Sequence, residues 1–321
     1  MKKRVGLHGS EFWAAMSFLL PNLTGFLVFT AGPVLFSLVV SFTNWTLTRE
    51  EPFRFVWLAN FGALLHDKEF WQYFINTGYL MLGMPIAIAG SLCLALLLSQ
   101  KLRGVVIYRT MFYLPSFTSG VALLILWKAL YNPQFGPINA VLGPIFHWFG
   151  AQAPEWLLST KNLLGLHAED IRLVWAQFGL GARDAMIFMG IWTAIGGSNM
   201  LLYLAGISNI PQELFEAAQI DGAGSWATFR HVTWPQLAPT TFFILVMSFI
   251  GGLQGGFESA RVLTGGGPAG TTTTLAYYIY TKAFEEFQIG YASAVSWVLF
   301  LIIAVVTLLN WKFGSRETTD A

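Results

Sequence analysis

Six stretches of the chain run without a charged residue: Phe12 to Thr48, Phe70 to Gln100, Thr110 to Trp127, Ala185 to Gln212, Val232 to Phe257 and Phe287 to Trp311. A hydrocarbon core about 30 Å thick is crossed by roughly 20 residues of helix, so each run is long enough to span it. The pattern predicts six membrane helices, centred near residues 14–42, 73–99, 108–131, 185–206, 239–258 and 290–311. The expected fold is therefore an all-α polytopic membrane protein. Ala129 to Pro154 is also uncharged, but Pro133, Pro137, Pro144 and Pro154 interrupt it. It reads as an external loop with short helical pieces, the alternative being a re-entrant segment.

Composition supports this pattern. Hydrophobic residues make up 55% of the 321 positions and charged residues 11%, against about 25% charged in a soluble domain. The net charge of +1 gives no pull toward nucleic acid. The lone cysteine, Cys93, excludes an intrachain disulfide framework and reads as a small buried hydrophobe. The opening "MKKRVGLHGSEF" is a basic stub before an apolar run longer than the 7–15 residues of a cleavable signal core, so an uncleaved first span is expected.

Six spans put both termini on one side. If that side is the cytoplasm, its cations are Lys2, Lys3, Arg4, Lys101, Arg103, Arg109, Arg230, Lys312 and Arg316, nine of the eighteen, so the bare count does not decide. Loop length does, because the bias toward positive cytoplasmic loops acts on short loops near span ends. The tight connection "KLRGVVIYR" carries three cations, whereas the opposite loops are long and mixed in charge. Both termini are expected inside.

The exception to the apolar pattern is "NIPQELFEAAQIDGAGSWATFRHVTWPQLAP", residues 209–239. It reads as two short helices with a break. Pro211 suits a first turn, and Glu213 and Glu216 near that end favour the helix dipole. Gly222 and Gly224 can supply the positive-φ geometry of a sharp turn, and Ser225 can cap the second helix. Ala217 and Ala218 allow another backbone to approach closely. On this physics alone, an ordinary interfacial linker is as good a reading as a docking element.

The spacing within this segment adds more. Glu216-Ala217-Ala218, three residues, Gly222, nine residues, then Val232-x-Trp234-Pro235 resembles the EAA signature of permease subunits of ATP-binding-cassette (ABC) importers. Val232 and Trp234 depart from the family's isoleucine and leucine but keep apolar bulk. The stretch "VLTGGGPAGTTTTLAYYIYTKAFEEFQIGYASAVSWVLFLII" is similar to the region before the last span in carbohydrate permeases of the maltose and glycerol-phosphate type. The resemblance covers nearly all the chain after residue 70. Length favours likeness to the larger maltose permease, without its extra spans or large external domain.

The resemblance implies a type I ABC importer permease. Residues 1–321 then form one transmembrane permease domain, with 1–13 and 312–321 cytoplasmic, 132–184 an external loop and 207–238 the cytoplasmic coupling loop. It further implies that Glu216, Ala217, Ala218, Asp221, Gly222, Val232, Trp234 and Pro235 form a coupling element seated on an ATPase subunit. The implied partners are a second homologous permease, two ABC ATPase subunits, an extracytoplasmic solute-binding protein, a carbohydrate solute and membrane lipid. The implied location is the bacterial inner membrane.

Other chemistry finds no support in the sequence. The glycines of "LTGGGPAG" lack the GxxxxGK[ST] arrangement that holds phosphate and magnesium, so ATP and Mg are expected on partner ATPase subunits, with no cofactor in this chain. His8, His66, His147, His167 and His231 have no metal-like spacing, and no catalytic constellation supports a membrane enzyme. A stand-alone secondary transporter is the other rival, but the spans are nearly free of intramembrane acids. Sugar binding needs aromatic faces and amides near mid-membrane. Trp192, Asn199 and Tyr203 on the fourth span, and Gln254, Phe257 and Glu258 at the fifth, are the substrate-path candidates, with Ser198 and Ser248 beside them. Asn199 and Gln254 serve equally well as helix–helix hydrogen-bonding groups, worth about 0.6–2 kcal/mol. Gly196, Gly197, Gly251, Gly252, Gly255 and Gly256 read as close-packing positions, with flexing the alternative. Glu258 and Arg261, one turn apart, are placed to pair.

Overall fold

The computed structural model describes residues 9–48, 52–100, 103–118, 120–169, 172–175 and 178–319; Lys2, Lys3, Arg4 and Lys101, counted above among the cations, lie outside them. Along the chain run α1 (Phe12–Ser41), α2 (Ala59–His66), α3 (Lys68–Ser99), α4 (Val105–Phe117), α5 (Gly120–Leu130) and α6 (Pro137–Trp148). A two-stranded antiparallel hairpin, β1 (Leu166–Glu169) and β2 (Arg172–Trp175), follows. Then come α7 (Ala182–Ser208), α8 (Gln212–Ile220), α9 (Ser225–Gln254), α10 (257–264), α11 (Leu275–Tyr280) and α12 (Ile289–Thr319). Among the described residues five helices are long and apolar enough to cross a membrane, and α4 with α5 makes a sixth crossing if the pair, bent by 95°, is counted as one.

That sixth crossing, expected as one helix over 108–131, is broken. Leu114–Phe117 tighten into a 3-10 turn around Pro115, which has no N–H to donate and whose ring clashes with the carbonyl four residues back. The prolines of 129–154 behave differently from one another. Pro137 opens α6 at its first turn, while Pro144 sits inside the helix without ending it.

The chain divides into two compact units, residues 1–66 with 279–298 and residues 67–278 with 299–321. In the first, the end of α1 meets the start of α12. Gly290 donates its N–H to Trp45 O at 2.9 Å, and a Cβ there would fall 2.2 Å from Thr43 O. Asn60 Nδ2 donates to Ser41 O and Thr43 O at 2.9 and 2.8 Å, closing the chain reversal after α1.

The second unit is a bundle built on α3, α7 and α9. Its core includes Ile88, Leu92, Ala95, Leu98, Met200, Tyr203, Leu204, Leu237 and Ile244. In lipid the apolar effect does not discriminate between helix and solvent, so close van der Waals approach over small residues holds such bundles together. A Cβ on Gly83 would meet Ile187 at 2.8 Å, one on Gly90 would meet Ile195 at 2.7 Å, and one on Gly206 would meet Leu237 at 2.8 Å. Asp67 starts α3 by accepting from Glu69 N at 2.9 Å. Cys93 is exposed on α3, contrary to the buried position expected; an apolar sequence does not distinguish a lipid-facing side from a core-facing one.

A second cluster joins Leu124, Tyr131, Trp156, Ala185, Met186, Met189 and Leu263, with Trp127, Ile138 and Leu142 packed against it. It ties the end of α5, the inner face of α6 and the first turns of α7. Asn139 locks this corner, donating to Pro133 O and Pro154 O at 3.3 and 3.1 Å and accepting from Trp156 Nε1 at 2.6 Å.

Candidate functional site

Three helices of the bundle lose regularity near one another. α3 narrows to a 3-10 turn at Met81–Gly83, α7 breaks at Gly196 and Gly197 between Ile195 and Ser198, and α9 ends at Gln254 before Gly256, whose φ is 85°. A cavity of about 410 Å³ lies among these breaks. Discontinuous helices around a cavity are how membrane proteins expose backbone and polar side chains at depth. Met81 and Met84 contribute from α3, Met186 and Met189 from α7, and Gly251, Gly252 and Gly255 from α9. No acidic or basic side chain lines it.

The polar lining divides into occupied and open groups. Thr77 Oγ1 donates to Tyr73 O at 2.8 Å and accepts from Leu275 N at 3.1 Å. Ser259 Oγ donates to Gly256 O at 3.1 Å. Asn199, one residue into the helix after the break, and Ser248 bring their amide and hydroxyl to the wall.

Beside the cavity, the irregular backbone of 264–274 is held by side chains. Asn76 is 1% exposed and donates to Gly270 O and Thr273 O at 2.8 and 3.1 Å. Thr272 Oγ1 donates to Gly267 O at 2.8 Å, and Thr273 Oγ1 to Gly266 O at 3.1 Å. An unsatisfied backbone group costs several kcal/mol away from water, which accounts for this density of side-chain bonds. The run Thr271–Thr274 is buried for the same purpose.

The six substrate-path candidates separate. Asn199 lines the cavity. Tyr203 is fully buried in the packing of α7 on α9, 3.2 Å from Thr241 Oγ1, and is a packing residue rather than a lining one. Trp192 lies against Trp127, ring centroids 5.5 Å apart, on an exposed side of α7. Gln254 is exposed and outside the lining. Phe257 and Glu258 fall beyond the Gly255–Gly256 break, on α10 rather than on the fifth span. There Phe257 carries the Arg261 guanidinium at 5.8 Å, and the Glu258 carboxylate closes on Gly120. Thr77 and the four methionines of the wall carried no signal in the sequence, since a methionine in an apolar run looks like any core residue. Of the six span glycines, Gly196 is a close-packing position, where a Cβ would fall 2.0 Å from Phe112 O, while Gly251 has open space.

The second feature is α8 and its exit. Pro211 is the N-cap rather than part of the first turn. Gly222 has φ 73°; its N–H reaches Gln219 O at 3.1 Å, and Ala223 N–H reaches Ala218 O at 2.9 Å. This paired closure is a Schellman motif, which needs a left-handed residue after the helix. Gly224 has φ −72° and itself N-caps the next helix, correcting both the positive φ expected there and the capping role expected of Ser225. Gly224 is in extended backbone open to any residue, and Ser225 is already helical.

On α8 only Ala218 is buried. Glu213, Glu216, Ala217 and Asp221 are exposed, and Gln212 Nε2 donates to Glu216 Oε1 at 3.0 Å. Ile220 is 86% and Trp226 71% exposed, an apolar pair on a polar segment. Val232 is half-buried, Trp234 exposed, and Pro235 lies within α9, where the regular helix resumes after the wider π turn at Phe229–Thr233. Among the described residues no group of three or more His, Cys, Asp or Glu is placed to hold a metal.

Comparison with known proteins completes the site. Residues 79–314 match the family described as "Binding-protein-dependent transport system inner membrane component". The chain is 34% identical over 307 residues to the probable ABC transporter permease protein YesP of Bacillus subtilis (strain 168), covering 94% of this chain and 90% of that one. It is 31% identical over 309 residues to the multiple sugar-binding transport system permease protein MsmF of Streptococcus mutans, covering 96% and 97%. A subunit in the crystal structure of a bacterial ABC transporter that imports the acidic polysaccharide alginate shares the fold, with a TM-score of 0.75 at 24% identity over 95% of this chain and 96% of that one.

Proposed function

The chain belongs to the family of inner membrane components of binding-protein-dependent transport systems, and from that premise we propose that it is the permease subunit of a bacterial ABC importer for an uncharged carbohydrate. The cavity among the three helix breaks carries this reading. Its wall offers an amide, hydroxyls and apolar faces but no charged side chain, the mixture that suits a sugar's hydroxyls and C–H faces. Likeness to the multiple-sugar permease supports the same cargo class.

One chain supplies one half of the route. A second, related permease completes it, and two ATPase subunits bind ATP and Mg and perform hydrolysis that this chain does not. An extracytoplasmic solute-binding protein delivers the cargo. Both termini and α8 face the cytoplasm, and α8 seats on an ATPase subunit, its Schellman turn fixing the angle at which α9 begins. Single cysteines at 225 and 152, probed from either side, report this orientation: 225 reacts only from the cytoplasm and 152 only from outside.

Reconstitution with the partner subunits and binding protein tests the cargo. Neutral oligosaccharides should stimulate ATP hydrolysis, and glycerol phosphate or uronate oligomers should not. Asn199→Leu should reduce that stimulation while the complex still assembles. Stimulation by anionic solutes alone, or normal transport by Asn199→Leu, would overturn the assignment.

A further inference from the structure

The helix α6 presents an outer face that is left exposed among the described residues. Its inner face, Ile138 and Leu142, packs on the cluster of Leu124, Tyr131, Trp156, Ala185, Met186 and Met189. The opposite face is Pro137, Val141, Pro144, Ile145 and Trp148, positions spaced by three and four residues and therefore on one side of a helix. All five are exposed, Val141 by 68% and Trp148 by 83%. Phe149, the next residue, is exposed as well. From 129 to 154 there is no Asp, Glu, Lys or Arg.

The depth of this face follows from what α6 is packed on. Leu124 and Trp127 belong to the last turns of α5, and Ala185, Met186 and Met189 to the first turns of α7. Both helices are parts of membrane crossings, so the cluster marks the level at which the crossings end. A helix fixed to that cluster lies where hydrocarbon gives way to headgroups. An apolar face without charges is stable there only if acyl chains cover it. Tryptophan at its end fits the same level, since its ring is apolar and its N–H wants a polar partner. A soluble partner's docking surface would carry a polar rim; the polar groups of α6 are Asn139, turned to the corner with Trp156, and the single exposed His147.

We propose that α6 is an interfacial helix lying in the plane of the membrane, its Val141–Ile145–Trp148 face immersed in the lipid of one leaflet. The lipid surface is its partner, and α6 anchors residues 131–158 against the bilayer. The segment is neither a free loop nor a re-entrant hairpin.

The test uses the full chain in nanodiscs of phosphatidylethanolamine and phosphatidylglycerol, in a Cys93→Ser background. Spin labels are placed at Val141→Cys, Ile145→Cys and Trp148→Cys, with Leu142→Cys as the inward control, and their exposure to oxygen and to a water-soluble nickel complex is measured. Labels at 141, 145 and 148 should favour oxygen with depths about 5–10 Å below the phosphates, while the label at 142 is shielded from both reagents. Labels that see nickel as freely as water does, or that lie at the bilayer centre, or that are shielded from both reagents at 141 and 145, each overturn the proposal. They report respectively a wet surface, a re-entrant segment and a protein-covered face.

Discussion

Two short helices, α6 and α8, close in the same way and face different surroundings. After α8 the left-handed residue is Gly222, φ 73°; after α6 it is Gly150, φ 70°. In α6 too the closure is paired, with Gly150 N–H on His147 O at 3.0 Å and Ala151 N–H on Phe146 O at 2.9 Å. The helices stand at opposite ends of α7. α6 packs on its first turns, and α8 follows its last, roughly 40 Å away along the helix at 1.5 Å per residue. Their side chains differ completely. α6 has no Asp, Glu, Lys or Arg and lays Ile138 and Leu142 against a core cluster, whereas α8 carries Glu213 and Glu216; each buries one residue fully, Gly143 and Ala218. Backbone chemistry sets how a helix ends; the side chains decide which medium or molecule covers it.

The comparison can be broken most directly at its shared residue. Gly222→Val places a branched side chain in a left-handed backbone, costing about 1–2 kcal/mol, and disturbs the angle between two segments with little packing to hold it. Transport in the reconstituted importer should fall at least tenfold while the subunit still inserts; normal transport removes α8 from the coupling path. Asn139→Leu acts at the other helix, leaving the Trp156 indole N–H and two carbonyls without their partner. A loss of about 2–3 kcal/mol is expected, read as a lower thermal midpoint, with ATPase association unchanged. Gly150→Val carries the same strain as Gly222→Val, about 1–2 kcal/mol, but Ile138, Leu142 and the Asn139 bonds hold α6 to its corner. Stability should fall and transport should stay above half; equal losses of transport for the two glycines would dissolve the distinction. The smallest effect belongs to Glu216→Ala. An exposed charge is worth up to about 1 kcal/mol in a contact, so ATPase association should weaken roughly threefold in a pull-down titration at low salt, and less at high salt.

The spans are legible because charge is excluded from lipid: the runs ending at Gln100 and Gln212 fall within a few residues of helix ends, although α12 continues past Trp311 to Thr319. The breaks are not. A hydropathy window averages over Pro115 and over Gly196-Gly197, and the chemistry of both sites is local. Nor does apolar sequence tell which side of a span faces lipid: Tyr203 and Gln254 were equal candidates for the solute path, yet one is buried in packing and the other exposed. The polar segment was read more closely, since Glu216 and Gly222 stand out against their surroundings and a glycine two residues beyond a helix is a known stop signal. Serine favours a cap position, which points to Ser225, yet Gly224 occupies it.

The start of α7 has a consequence for how the chain is made. Asp184 accepts from Tyr79 OH at 2.8 Å, from Leu163 N at 3.1 Å and from Gly181 N at 3.2 Å, and the Arg183 guanidinium lies 4.9 Å over the Tyr79 ring. Both charged residues are 2% exposed. Leaving the translocation machinery alone, α7 would carry two uncompensated charges at its leading end, a poor candidate for release into lipid. Tyr79 lies on α3, synthesised about a hundred residues earlier, and Leu163 just ahead of α7 itself. The nascent chain therefore already holds the donors that Asp184 requires, an arrangement suited to release of α7 together with α3 rather than as a free helix.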